Sequence, residues 1–198
     1  MRDGFPIVVL ACSSGGLDAV SRVLGPLPAG FGGAVVVIQH LSPQAPSSLP
    51  EILASRTVLP VASAADDVHL TPGHVLIAPP GHHLLATSGD ILAMIPAEGR
   101  VPPYRPSADL LLSTLAVSAG PRVIAVVLSG HGDDAATGAA AVHHFGGLVV
   151  VADPTTSAAR AMPDAAIARE HVTDHVIAVD DIAGFLTTRA APGAVTTS

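Results

Sequence analysis

A chain of 198 residues with 49% hydrophobic side chains, no tryptophan, one tyrosine and four phenylalanines can bury a sizeable core. That core has to be aliphatic, of the Val, Ile, Leu and Ala kind that fills parallel sheets. Nine Lys and Arg against sixteen Asp and Glu give a formal charge of −7, which argues against a nucleic-acid partner and against a basic coat for an anionic membrane, since both rely on clustered cations.

Cysteine usage and hydropathy narrow the class further. The single cysteine, Cys12, excludes an internal disulfide and any multi-cysteine zinc or iron–sulfur site. No apolar run reaches the ~18 residues of a membrane span, and no basic segment leads into a signal-type apolar region. A cytoplasmic protein with no direct membrane insertion is the expectation.

In chain order, residues 6–11 read as a first strand that breaks into Cys12-Ser13-Ser14-Gly15-Gly16 and resumes as a helix over 18–24, stopped by Gly25-Pro26. A strand that feeds a helix through Ser-Ser-Gly-Gly sets hydroxyls at a helix N-terminus. Free backbone N–H groups and the positive end of the helix dipole favour a phosphate or an oxyanion there. Residues 34–40 form a second apolar strand with a polar end, Gln39-His40, and the helix between the two strands makes a right-handed βαβ unit.

A Pro- and Ser-rich loop over 41–48 leads to a short helix at 49–56 and short strands at 59–62 and 75–78. Residues 83–87 and 91–95 flank Ser88-Gly89-Asp90 and read as a hairpin. After a proline-rich loop, Ser107 is placed to cap a helix over 108–117. The strongest strand, 123–128, runs into Ser129-Gly130-His131-Gly132-Asp133-Asp134 and an Ala-rich helix that ends at His144. Strands at 148–152 and 175–179 and helices at 163–170 and 181–186 complete the set. No repeat or linker divides the chain, so a single domain is expected over 1–189, with a disordered tail over 190–198.

Strands alternating with helices imply an α/β fold: a doubly wound, mostly parallel sheet with helices on both faces and one antiparallel β-hairpin, Rossmann-like in plan. Such sheets bind ligands at the C-terminal ends of their strands. Three strands end there in reactive residues: Ser13-Ser14 after the first, His40 after the second, Asp133-Asp134 after the 123–128 strand. A hydroxyl nucleophile, a base to take its proton and a carboxylate to orient the imidazole are the parts of an activated-hydroxyl hydrolase. Each part also has a plain structural reading: a capped helix start, a polar strand end, an acidic first turn favoured by the dipole. Their arrival at one sheet edge is what joins them into a site.

Rival chemistries fit less well. The first turn has neither G-x-G-x-x-G nor a glycine loop closed by Gly-Lys-Ser/Thr, and no acidic residue for a ribose ends the second strand. The pairs His82-His83 and His143-His144 are adjacent, so their side chains diverge. No H-E-x-x-H occurs, and these pairs with His69, His74, His171 and His175 read as structural or solvated. No metal and no cofactor is expected. Cys12 stands beside a helix start, where a thiolate is favoured, but also at the end of an apolar strand, which suits a small buried residue better.

On these residues the chain resembles the chemotaxis protein-glutamate methylesterases of the CheB type. Ala11-Cys12-Ser13-Ser14-Gly15-Gly16 is similar to that family's Gly-Ala-Ser-Thr-Gly-Gly, and Val37-Ile38-Gln39-His40 to its apolar-Gln-His strand end. Arg105-Pro106-Ser107-Ala108-Asp109 resembles its Arg-Pro-Ser-x-Asp, and Leu128-Ser129-Gly130-His131-Gly132-Asp133-Asp134-Ala135-Ala136 its Leu-Thr-Gly-Met-Gly-x-Asp-Gly-Ala. Met162-Pro163 falls where the family has Met-Pro before a helix.

The resemblance implies Ser13 as nucleophile, His40 as general base and Asp134, rather than Asp133, as the orienting acid. Ser14 and His131 would line the oxyanion and substrate site, with backbone N–H groups of the Ser13 and His131 turns as oxyanion donors. The implied reaction is hydrolysis of γ-glutamyl methyl esters with release of methanol, and deamidation of glutamines. The implied partner is a methylated chemoreceptor or other methylated signalling protein, with a separate response regulator or methyltransferase as further partners. The family's usual N-terminal receiver has no counterpart before the first strand, so a stand-alone catalytic domain is the expectation. His131 replaces a Met and Ala135 a Gly of the family pattern. Two other readings stay open at this level: a catalytically silent signalling adaptor of the same fold, and a nucleotide-binding α/β module.

Overall fold

A computed structural model describes residues 4–42, 47–97, 104–169 and 171–191. Seven strands form a parallel sheet: β1 (Ile7–Cys12), β2 (Ala34–Gln39), β3 (Val61–Ser63), β5 (Val75–Ile77), β8 (Val123–Val127), β9 (Leu148–Ala152) and β10 (His175–Ile177). Their order is β10-β9-β8-β1-β2-β5-β3. A second, antiparallel sheet holds β4 (Val68–His69), β7 (Ile91–Pro96) and β6 (His82–Ser88). The expected hairpin is β6 with β7. Its third strand escapes a pattern reading because two residues are too few to show an alternation.

Strand side chains alternate between faces, and β1 divides its residues accordingly. Ile7, Val9 and Ala11 enter one core layer with Leu111, Leu112 and Leu115 of α3 (Ala108–Ala119), Val142 of α4 (Ala136–His144) and Met162 of α5 (Ala161–Ile167). Val8, Leu10 and Cys12 enter the other, with Val20 and Val23 of α1 (Gly16–Leu24), Leu53 of α2 (Leu49–Ala54) and Ile182 and Leu186 of α6 (Val179–Arg189). Burying each of the Val, Leu, Ile and Met side chains among these contributes about 1.5–3 kcal/mol. Both faces of the sheet are covered, which is why its strands read as unbroken apolar runs.

The chain runs from β1 to β2 on one side of the sheet and later enters β8 on the other side of β1. The turn after β1 therefore leads to α1 under one face, and the turn after β8 to α4 over the opposite face. The crevice left where the two turns part is the point at which doubly wound sheets place their ligands.

Boundaries differ from the sequence reading where tertiary pairing decides them. β3 lies at Val61–Ser63 rather than 59–62 because Val61 registers against Val75, while Leu59 is buried ahead of the strand. α5 starts two residues before Pro163, which a first turn tolerates. α6 starts at Val179, so β10 is shorter than expected, and it runs on to Arg189. Ala190, placed by sequence at the start of the tail, is buried and its N–H donates to the Leu186 carbonyl at 2.9 Å. The rest of the expected tail, 192–198, and Glu170 at the end of the expected 163–170 helix lie outside the described residues.

Candidate active site

Ser13 follows the last residue of β1 and opens a tight turn: its carbonyl accepts from Gly16 N–H at 2.9 Å. Gly15 takes the left-handed conformation, φ 75°, and a Cβ there would lie 2.7 Å from the Ala158 side chain and 2.8 Å from Ser129 Oγ. A Cβ on Gly16 would lie 2.6 Å from Cys12 Sγ. The first glycine is needed for its φ and both for the space. Ser13 itself is half-buried and Ser14 is exposed at the rim.

Parallel register brings His40 beside it. Cys12 pairs with Gln39 across β1 and β2, and the ladder continues one step as His40 N–H donates to the Cys12 carbonyl at 3.1 Å. Ser13 and His40 are therefore the next residues on neighbouring strands. The following amide, Leu41 N–H, donates to the Arg105 carbonyl at 2.9 Å and ties this strand end to the loop before α3.

Asp134 completes the row from the turn after β8. Its carboxylate is 1% exposed and lies 2.8 Å from His40 Nε2 through Oδ2. It also accepts from the Ala108 N–H (2.7 Å), the Asp109 N–H (3.0 Å) and the Ser107 hydroxyl (3.1 Å). These three donors are the open N-terminus of α3, so the carboxylate sits on the positive end of a 12-residue helix. Burial pushes its pKa up, but the bonds from His40, Ala108 and Asp109 outweigh that and hold it below the ordinary carboxylate range. Ser107 is fixed in turn: its N–H donates to Nδ1 of buried His83 at 3.0 Å. Burial, with the Arg105 charge, pushes His83 below the usual imidazole range, so it serves as a neutral acceptor.

The pairing of Nε2 with Asp134 sets the tautomer. With the proton on Nε2 shared with the carboxylate, Nδ1 is the nitrogen left to take a proton. The chemistry open to this row is that of a hydroxyl activated by an imidazole that a carboxylate orients.

The two acidic neighbours have different partners, and Asp133 is tied to Tyr104. Its Oδ1 accepts from the Tyr104 hydroxyl at 2.8 Å, and its N–H donates back to that oxygen at 3.3 Å. The Tyr104 ring stacks on His40, with centroids 5.0 Å apart and planes at 18°. Burial pushes the Cys12 thiol up to about 12, which removes it as a nucleophile. His131 is exposed on the rim of the turn.

Within the Ser13 and His131 turns the backbone N–H groups are not equally available. The Ser13 N–H is already spent on the Ser129 carbonyl at 2.9 Å, and Gly130 N–H on the Ala159 carbonyl at 2.9 Å. Among the described residues, the amides of Ser14 and His131 have no hydrogen-bond partner. A backbone bond from the first turn's opening residue cannot be seen in composition or spacing. Ser107 caps α3 as expected, its hydroxyl accepting from Leu110 N–H, but its bond to Asp134 and the contacts of Tyr104, Ser129 and His83 join residues distant in sequence and were missed. The available signal was that Ser107 lies inside the Arg-Pro-Ser-x-Asp segment and that Tyr104, the chain's one tyrosine, immediately precedes it.

The CheB methylesterase family model matches residues 8–186. The chain belongs to the CheB methylesterase family. A crystal structure of the Thermotoga maritima CheB methylesterase catalytic domain superposes with a TM-score of 0.85 at 32% identity, covering 93% of this chain and 98% of that one. Protein-glutamate methylesterase FrzG of Myxococcus xanthus is 37% identical over 163 residues, 82% of this chain and 48% of that protein. Protein-glutamate methylesterase/protein-glutamine glutaminase 4 of Myxococcus xanthus strain DK1622 is 34% identical over 181 residues, 91% of this chain and 51% of that protein. The chain thus spans about half the length of both Myxococcus relatives, the length of a CheB catalytic domain. No helix among its described residues is long and apolar enough to cross a membrane.

Proposed function

We propose that this CheB-family chain is a protein-glutamate methylesterase that hydrolyses γ-glutamyl methyl esters, with Ser13 as nucleophile, His40 as general base and Asp134 as the orienting acid. The observation that carries the reading is the His40–Asp134 pair, held at 2.8 Å on the N-terminus of α3 and one ladder step from Ser13. A buried carboxylate with four donors, one of them the imidazole at the end of β2, is a costly arrangement for a pure binding surface.

In this reading Ser13 Oγ attacks the ester carbonyl while His40 Nδ1 takes its proton. The negative charge that develops on the carbonyl oxygen falls to the Ser14 and His131 amides. The tetrahedral intermediate expels methoxide, His40 returns the proton to make methanol, and a water activated by the same imidazole releases the γ-carboxylate from Ser13. A glutamine side chain passes through the same steps with ammonia as the leaving group. Ser14 and His131 line the approach, and the substrate is a methylated chemoreceptor or another methylated signalling protein. A separate response regulator or methyltransferase is the further partner that such a pathway offers. The reaction requires no cofactor.

Methyl-labelled receptor membranes supply the test. The wild-type protein should release labelled methanol, Ser13→Ala should lose several orders of magnitude in rate, and Ser14→Ala and Cys12→Ala should keep a substantial part. Full activity in folded Ser13→Ala protein overturns the assignment of the nucleophile. A wild type that binds receptor but frees no methanol is an adaptor.

A further inference from the structure

His40 is gripped along its edge by Asp134, but an imidazole held through one nitrogen can still pivot about that bond. The face of the ring is where a second constraint acts, and Tyr104 occupies it, nearly parallel at 18° with centroids 5.0 Å apart. Tyr104 is itself fixed at its far end, where the hydroxyl donates to Asp133 Oδ1 at 2.8 Å and accepts from Asp133 N–H at 3.3 Å. The turn between them is shaped to admit the phenol. Gly132 has φ 87°, and a Cβ there would come within 2.4 Å of the Tyr104 hydroxyl oxygen. Any side chain at position 132 would displace the ring. The bond to Asp133 raises the phenol's pKa above its usual value, so the hydroxyl stays a donor and does not compete with His40 as a base.

We propose that Tyr104 is a positioning residue for His40: its ring backs the imidazole, and Asp133 holds the ring in place. The proposal rests on the hydrolase reading above and gives the two members of the Asp133-Asp134 pair linked duties, one on the edge of the imidazole and one, through Tyr104, on its face. The clamp spans three segments, the end of β2, the loop before α3 and the turn after β8. It fixes the plane in which Nδ1 can take a proton, and a misplacement of about 1 Å in such a geometry costs on the order of 100-fold in rate. A second consequence is electrostatic: an aromatic face over the ring favours the imidazolium that forms when His40 accepts the proton.

The experiment measures phosphonylation of Ser13 by a fluorophosphonate. In that step Ser13 Oγ bonds to phosphorus, fluoride leaves and His40 takes the serine proton, so no glutamyl ester is needed. Tyr104→Leu should label roughly tenfold or more slowly than wild type, with the loss in the rate at saturating probe rather than in the half-saturating concentration. Tyr104→Phe, which keeps the ring and loses its tether, should fall between the two, roughly threefold down. Asp133→Ala breaks the same tether from the other side and should match it, and the double variant Tyr104→Phe/Asp133→Ala should be no slower than either single one. A merely structural role would give additive losses. In the NMR spectrum, Tyr104→Leu should move the His40 ring protons downfield, because the shielding ring is gone.

Wild-type labelling with Tyr104→Leu as fast as wild type overturns the clamp while leaving the hydrolase reading intact, as does a loss confined to the half-saturating concentration. Additive losses in the double variant overturn the tether. A wild type inert to the probe overturns the hydrolase reading and the clamp with it.

Discussion

Asp133 and Asp134 are chemically identical neighbours, and their surroundings alone assign them. Asp134 is sealed in with four donors, whereas Asp133 faces solvent and holds one phenol. An amide at position 134 has one accepting oxygen instead of two, so Asp134→Asn sets its NH₂ against at least one of the donors from α3. We expect a stability loss of about 1–3 kcal/mol from the unsatisfied donor. Alongside it, the wrong imidazole tautomer should cost on the order of 10⁴-fold in rate. Asp133→Asn retains an oxygen for the Tyr104 hydroxyl and an unchanged backbone N–H, so it should lose less than about threefold in rate. Steady-state methanol release and urea unfolding of both variants decide the matter; a crippled Asp133→Asn beside an active Asp134→Asn would exchange the two roles. Composition could not separate these residues, and their placement one position apart in the turn matched to the family pattern could. What the pattern did not carry was Tyr104, because its stacking on His40 depends on three loops closing together.

The elements around the site are held by Ser129, which sits between the Ser13 turn and the loop after β9. Its hydroxyl donates to the Ser14 carbonyl at 2.7 Å and accepts from Ala159 N–H at 2.9 Å, while its own carbonyl receives the Ser13 N–H. Ser129→Ala leaves the Ala159 N–H buried without a partner and frees the Ser14 peptide to rotate. The expected result is a loss of about 1–3 kcal/mol in urea unfolding, with a fall in kcat at nearly constant KM if Ser13 is the nucleophile proposed above, since its turn and not a substrate contact is disturbed. An unchanged kcat would show that the turn is held by its glycines alone. The same turn region explains how Ala135 stands where the family pattern has Gly. Its φ is 81°, a conformation that costs a side-chain-bearing residue about 1–2 kcal/mol. Its methyl is fully buried in the core, returning about 0.8 kcal/mol, and avoiding glycine saves ~0.5–1 kcal/mol of unfolded-chain entropy. The terms nearly cancel, so the departure is tolerated. Strands and helices of this kind were legible because each buries a continuous face; β4 and the exact ends of β3 and α6 were not, because pairing partners distant in sequence fix them.

At the scale of the whole molecule, the site's carboxylate and the fold's stability share one support, the run His83 to Ser107 to Asp134 that links the second sheet to the N-terminus of α3. Burial and the nearby Arg105 charge lower the pKa of His83, although Asp134 pulls it the other way, and its Nδ1 must stay unprotonated to accept the Ser107 N–H. A histidine whose folded-state pKa lies below its unfolded value of about 6.5 binds more protons when the chain is unfolded. Its contribution to stability is therefore whole above that value and is lost as pH falls through it, at no more than about 1.4 kcal/mol per pH unit. Asp134 follows the same sign at lower pH: its folded pKa is depressed, so its contribution is present above the unfolded value of about 3.9 and disappears as pH drops toward the folded one. Acid should thus loosen the support in two stages, first at the second sheet and then at Asp134. His83→Asn keeps an oxygen acceptor for Ser107 and cannot titrate. As pH falls below about 6.5 the wild type should lose stability in urea unfolding while His83→Asn loses measurably less. Curves that stay parallel from pH 7 downward would remove His83 from the support and leave Asp134 held by α3 alone.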